Sequence, residues 1–377
     1  MATELALAQT QGQGRDPRYC SRPNLGFIYV TPALADQLGD VAALVQARTG
    51  VTDWVGTVGH GICATGAEYA DEAAVSLMMA ELPPGAARVF SGRRRLDAHA
   101  AAPQTALVHA DPATPELAEL VVDMAAKTVS GSVFGGIASG GTTSALPQLA
   151  NEVVAGGLSG VAFDATVPMI TRVTQGCSAL AGEHEVSGCN AQFIHSLDGR
   201  PALDVLLADL GVDEHVRASR DGDELLRALP LERLRSGLLV GLAPAGAPGG
   251  KPVGFGDYMV RNVVGIDPKQ RVVAVGGAPQ RGDRAVFCTR DAQAARRDLV
   301  RICTELREEV ETRDARVRGA LYVSCVARGA PLFGNTGVEL GTIAQHLGPV
   351  PLTGFYANGE IAGDRLLGYT GVLTLFL

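Results

Sequence analysis

The sequence is short of lysine, of aromatic side chains and of long apolar runs. Three lysines stand among 32 basic residues, so arginine carries nearly all the positive charge. Against 40 acidic residues the formal net charge is −8, and a basic face able to track nucleic acid is not expected. The run "SGRRRL" around Arg93, Arg94 and Arg95 is the one dense basic stretch, and it reads as a solvated loop. With aromatics at 5%, the core has to be built mostly from Val, Leu and Ala. No stretch approaches the ~20 apolar residues of a membrane helix, and the first residues lack a charged region followed by an apolar one. A membrane partner is therefore not expected. The seven cysteines are odd in number and sit mostly in apolar runs such as "RAVFCTRD" and "LVRICTEL". Reduced thiols and a cytoplasmic location are the expectation.

Familiar catalytic signatures are missing as well. There is no GxxxxGK[ST] phosphate loop and no GxSxG elbow. The glycines of "GHGICATG" are spaced wrongly for a dinucleotide fingerprint. Cys177, His184, Cys189 and His195 lie in one segment, but they match no zinc module and lack a short CxxC clip.

What the chain does have is glycine, 47 residues of 377, against a usual ~7%. Without a G-X-Y period this means tight turns and close backbone approaches. Apolar runs such as "GFIYV", "QTALVHAD", "RGALYVSC" and "GYTGVLTLFL" predict strands. Thr31-Pro32 opens a helix with Leu34, Leu38, Val41 and Val45 on one face and Gly50 as its stop. Asp291 caps the clearest helix, striped by Ala295, Leu299, Ile302, Leu306 and Val310. "AAVSLMMAELP" is too short for periodicity to separate strand from helix. The expected fold is α/β, with α+β as the alternative, in two halves: a polar tail over 1–24, then 25–195 and 196–377. There is also an internal echo. "DWVGTVGHGICATGAE", "SVFGGIASGG" and "VPLTGFYANGE" each run an apolar strand into a Gly-rich turn, a hint of pseudo-symmetry.

Polar groups gather at two C-terminal strand ends. "LYVSCVARGAPLFGN" offers Cys325, Arg328, Phe333 and Asn335, and "GPVPLTGFYANGEIAGD" offers Asn358 and Glu360. A carboxylate ending an apolar strand is costly unless paired or used. One reading has Arg328 and Glu360 gripping a small zwitterion, the guanidinium as a fork for a carboxylate. The other has them as a buried ion pair. Cys325 as an activated nucleophile, or Glu360 as a general base, would make the chain an enzyme; a buried inert thiol is the plainer reading of Cys325. His60, between two glycines, has an accessible ring and is the candidate axial ligand if haem is bound.

These segments, with "VTQGCSALAG" and "LDGRPALDVL" between them, resemble the FIST sensory domain over nearly the whole chain from about Leu25. The resemblance implies a non-enzymatic, small-ligand-binding input domain of bacterial signal transduction, built from two related halves with mixed sheets packed together and helices outside. It also implies amino acids or similar metabolites as ligands, with haem-based nitric oxide sensing as an alternative and no other cofactor. Its motif positions fall on Gly176, Cys177, Cys325, Arg328, Gly329, Phe333, Gly334, Asn358, Gly359 and Glu360. Two departures stand out: "GEIAGD" where relatives run "GEIGP", and a short polar segment before Leu25 where relatives often have a helix. With no output domain recognisable between the two halves, a separate signalling protein acting as partner in trans is expected.

Overall fold

The computed structural model describes the chain except for residues 15, 17–18, 98–100, 142–144, 220, 235–236 and 245–257, and the side chains of 232–233. The fold is α/β with several mixed sheets. It divides into two compact units, one of residues 1–174 and 296–377, the other of residues 175–295.

The first unit is built from one motif used three times. Each copy is a strand, a helical crossover and a second strand lying parallel to the first. The first copy is Leu25–Val30, a 3-10 turn Pro32–Gln37 running into helix Leu38–Thr49, and Asp53–Val58. The second is Thr105–Ala110, helix Leu117–Ala126 and Val133–Ile137. The third is Gly319–Cys325, helices Gly329–Phe333 and Val338–Leu347, and Leu352–Ala357. The registers superpose: Ile28, Val108 and Tyr322 lie opposite Gly56, Gly135 and Gly354. A Cβ at any of these glycines would collide with the carbonyl oxygen across the pair. Glycine is thus demanded at the same point three times, by close backbone approach.

The hairpins after the three motifs are exchanged in a circle. The one after the first, Gly61–Ala64 with Ala67–Ala70, pairs with the third motif's Leu352–Ala357. The hairpin after the second, Gln148–Ala150 with Glu152–Val154, pairs with the first motif's Asp53–Val58. The hairpin after the third, Glu360–Gly363 with Arg365–Leu367, pairs with the second motif's Val133–Ile137. The chain then returns each time to lie antiparallel beside its own first strand, as Val75–Ala80, Leu158–Phe163 and Thr370–Phe376. The result is three sheets of five, six and six strands. Between them sits a core that includes Phe27, Tyr29, Leu107, Phe134, Val323, Phe355 and Phe376. At its centre Tyr29 stacks on Phe355 with centroids 4.9 Å apart. The Tyr29 hydroxyl lies 3.0 Å from His109 Nε2, and burial drives the imidazole down to about 3, so it is neutral.

The helices follow their apolar stripes. Leu38, Val41 and Val45 are buried, with Gly50 at φ +75° as the left-handed stop. Helix Ala292–Thr312 begins where Asp291 accepts from the backbone N–H groups of Gln293 and Ala294. Leu299, Ile302 and Leu306 of its stripe are buried. The ambiguous "AAVSLMMAELP" is the strand Val75–Ala80.

One expectation is corrected. The polar tail is in fact a helix, Ala2–Gln13, rich in Ala, Leu and Gln, which favour helix. Leu7, 1% exposed, anchors it among Ile28, Leu38, Val41 and Trp54. The compact units also cut the chain differently from the 195/196 division, because strand and hairpin pairing return residues 296–377 to the first unit.

The second unit is an antiparallel sheet that closes on itself. Leu238–Ala243 pairs with Met259–Asp267 on one side and with Arg284–Arg290 on the other. Helix Ala202–Asp209 buries Leu203, Val205, Leu206 and Leu207 in a core with Val186, Ile194, Val240 and Phe287. His184 lies between two carboxylates, Nδ1 2.6 Å from Asp198 and Nε2 3.0 Å from Asp209. No group of three His, Cys, Asp or Glu among the described residues is arranged to hold a metal.

Candidate functional site at three converging strand ends

Four residues beyond the glycine of each parallel pair stand His60, Ser139 and Asn358, each followed by another glycine. The circular exchange of hairpins brings these three strand ends together. The Ser139 N–H donates to the Val58 carbonyl (3.1 Å), and the Asn358 N–H donates to the Ile137 carbonyl (3.1 Å). These are the same bond in two copies: each links a strand end to the carbonyl two residues before the equivalent position of another motif. In the third copy, His60 to Tyr356, a side chain intervenes. The Ser139 hydroxyl accepts from the His60 N–H at 2.8 Å and donates to the Tyr356 carbonyl. Two joints of the ring are backbone and the third is a serine hydroxyl.

An open cleft of about 500 Å³ lies on this ring. His60, Ser139 and Asn358 line it, with Pro112 and Val326, which are also equivalent positions of two motifs, and with Leu146, Ala138, Gly140 and Gly141. In open α/β sheets the ends of parallel strands are where ligands sit, because crossover connections leave a crevice there. His60 and Asn358 are exposed, and the side chains of both lack a hydrogen-bond partner among the described residues.

Behind the ring lies a second polar cluster of a different kind. Glu339, fully buried at the start of helix Val338–Leu347, accepts from the Tyr322 hydroxyl (2.6 Å), the Ser324 hydroxyl (3.0 Å), Arg328 Nε (2.9 Å) and the Gly329 N–H (3.2 Å). Arg328, 1% exposed, is thus paired with Glu339, its Nη2 2.8 Å from the carboxylate. Burial works against the guanidinium's charge, but Glu339 outweighs it and holds the charged form. Phe333 lies beneath, its ring centroid 5.7 Å from Arg328 and 5.5 Å from Arg296. Glu360 accepts from the Thr370 N–H (3.1 Å) and hydroxyl (2.6 Å), and the Cys325 thiol lies beside it. Burial pushes the Glu360 carboxyl up to about 8, against the pull of Thr370 and Arg328. Burial, reinforced by Glu360, pushes the Cys325 thiol up to about 12.

The candidate residues from the sequence are thereby sorted. Cys325, Arg328, Phe333 and Glu360 share the buried cluster, His60 and Asn358 share the cleft, and Asn335 is exposed on the turn before Val338–Leu347. Sequence reasoning overlooked Ser139, Glu339 and Thr370. The echo of "GHG", "ASG" and "ANG" was the signal for Ser139. Glu339 looked like any acidic residue of a helix's first turn.

This set of positions has relatives. The FIST N domain matches residues 24–200, and the FIST C domain matches 202–363. The chain belongs to the FIST family. Its two family domains meet at residues 200–202, between the short strand Arg200–Pro201 and helix Ala202–Asp209. The uncharacterized protein Rv0628c of Mycobacterium tuberculosis is 29% identical over 394 residues, 99% of this chain and 96% of that one. The uncharacterized protein Mb0898c of Mycobacterium bovis is 29% identical over 395 residues, 99% of this chain and 95% of that one. FIST domains are associated with sensory signal transduction.

Proposed function

We propose that this FIST protein is a non-enzymatic sensor that seats a small molecule in the cleft on the strand-end ring. The observation that carries the reading is the convergence of three equivalent residues, His60, Ser139 and Asn358, on one cleft. Asn358 and His60 touch the ligand; Arg328, Phe333, Cys325 and Glu360 hold the third motif's strand end in place behind them. A ligand that favours one arrangement of the ring shifts its population and alters a surface read by a separate output protein. Action in trans is supported by the mycobacterial relatives, which have little chain outside the matched region. A cytoplasmic site is supported by the seven free cysteines, and no described helix is long and apolar enough to cross a membrane.

The non-enzymatic reading rests on the same chemistry. A thiol held near 12 is not a nucleophile at neutral pH, and Glu360 is fully buried. The cleft does not fit haem. A macrocycle needs two broad apolar walls beside its axial ligand, and here His60 is flanked by serine, glycine and an asparagine.

Hydrogen–deuterium exchange of the whole chain, with and without the low-molecular-weight fraction of a bacterial lysate, tests the reading. Protection at 59–61, 138–141 and 357–359 is expected. Protection confined to other segments, or none at all, would overturn it.

A further inference from the structure

The cleft's described lining, nine residues, carries no Asp, Glu, Lys or Arg, and His60 is its one ionisable side chain. The ionisable groups of the third motif are buried behind the cleft and do not line it: Arg328 pairs with Glu339, and Glu360 accepts from Thr370. A zwitterion entering the cleft would lose water from a carboxylate and an ammonium without meeting a countercharge for each, which is costly. The cleft does present a carboxamide. The Asn358 backbone is fixed by its bond to Ile137 and by Gly359 at φ +125°, while its side-chain oxygen and NH2 are exposed and without partners among the described residues. A carboxamide sets an acceptor and two donors in one plane, the complement of a ligand edge that carries N–H beside C=O. Pro112, Leu146 and Val326 supply apolar contact for the body of such a ligand, and the cleft has room for a small ring.

We propose that the cleft takes an uncharged cyclic amide, a lactam or pyrimidinone-type ring, whose N–H/C=O edge is read by the Asn358 carboxamide. This rests on the sensor reading above and names its ligand class. It differs from the expectation of an amino acid, whose two charges the described lining does not match.

The test is calorimetric titration of the whole chain with two matched pairs: uracil against orotate, and 2-pyrrolidone against pyroglutamate. Each pair keeps the amide edge and adds one carboxylate. The neutral member is expected to bind at least about 10-fold more tightly, and Asn358→Asp to lose about 10-fold or more of that affinity, the usual penalty for mispairing a polar edge. Asn358 is exposed, so the variant should melt with the wild type, which a thermal scan checks. Carboxylated members binding as well as the neutral ones, with Asn358→Ala abolishing both, would overturn the ligand class and leave the cleft as the sensor site. No binding by any of the four at millimolar concentration, with exchange protection by lysate intact, would do the same. Loss of both signals would remove the sensor reading itself.

Discussion

Two polar clusters share the third motif and differ in almost every respect. Around Glu339 four donors converge on one buried carboxylate, and a guanidinium neutralises it. Around Asn358 a carboxamide faces solvent with no described partner. In sequence Asn358 and Glu360 are two residues apart, yet they belong to opposite clusters. Gly359, at φ +125°, lies between them, where the chain leaves the third motif's sheet and enters the hairpin that carries Glu360 into the second motif's sheet, opposite Gly136. The carboxylate at the end of an apolar strand is thus the first residue of a different strand. The buried cluster holds the strand end through its ion pair and hydrogen bonds, although Arg328 Nη1 and one Glu360 oxygen have no hydrogen-bond partner among the described residues. The exposed carboxamide on the cleft is open to meet something else.

The comparison is broken most severely at Glu339. In Glu339→Ala the Arg328 guanidinium, 1% exposed, keeps its charge and loses its partner, and the Tyr322 and Ser324 hydroxyls lose their acceptor. Breaking a buried pair in this way costs about 3–5 kcal/mol. Urea unfolding should show that loss, and adding Arg328→Met in the same chain should recover part of it. A loss below ~1 kcal/mol would mean the pair is not the structural element its geometry indicates.

Glu360 comes next, and its effect depends on pH. Burial raises its carboxyl in the folded protein to about 8, so the native state holds a proton that the unfolded chain has already released. Stability supplied by that proton is present at acid pH and is lost as pH climbs from the ordinary carboxylate range through about 8, at about 1.4 kcal/mol for each tenfold difference in proton affinity between the two states. Glu360→Gln, which keeps the neutral shape, should unfold at higher urea than wild type at pH 8.5. Near pH 5 the two should be similar. Glu68, also raised by burial, adds the same slope to both proteins and drops out of the difference. An equal gap at both pH values would show that Glu360 does not carry the raised carboxyl.

Much of the fold was legible in the chain, and the losses have physical causes. Helix stripes declare themselves locally, so Leu38, Val41 and Val45, and Asp291 as a cap, were readable. So was the threefold recurrence of an apolar strand entering a glycine turn. The destination of each hairpin was not readable, because Gly61–Ala64 carries no local mark that sends it to the third motif and not the first. The helix over Ala2–Gln13 was hidden because one buried leucine, Leu7, anchors an otherwise polar stretch. His60 was singled out for its glycine surroundings, and Asn358 for standing at the end of an apolar strand. Arg328 was singled out too, but its partner Glu339 was missed, because a first-turn glutamate usually needs no explanation beyond the helix dipole.

A smaller effect is expected at Ser139. Ser139→Ala removes the hydroxyl that closes the ring's third joint and strands the His60 N–H and the Tyr356 carbonyl. About 1–2 kcal/mol is the expected loss. The informative readout is local: faster amide exchange at His60, with the joints at Ser139 and Asn358 unchanged. Uniform acceleration at all three would mean the ring opens as one body and the hydroxyl is not a separate joint.

The smallest effect on stability, and the sharpest separation of the two clusters, belongs to Asn358→Ala. An exposed side chain with no described partner should leave the melting curve within about 0.5 kcal/mol of wild type, while lysate-induced protection at 138–141 should vanish. The Glu339 variants should show the opposite pattern at temperatures where they remain folded, with weakened stability and protection retained. If Asn358→Ala instead destabilises the protein as Ser139→Ala does, the carboxamide belongs to the ring, and among the described lining residues His60 is left as the polar side chain free to meet a ligand.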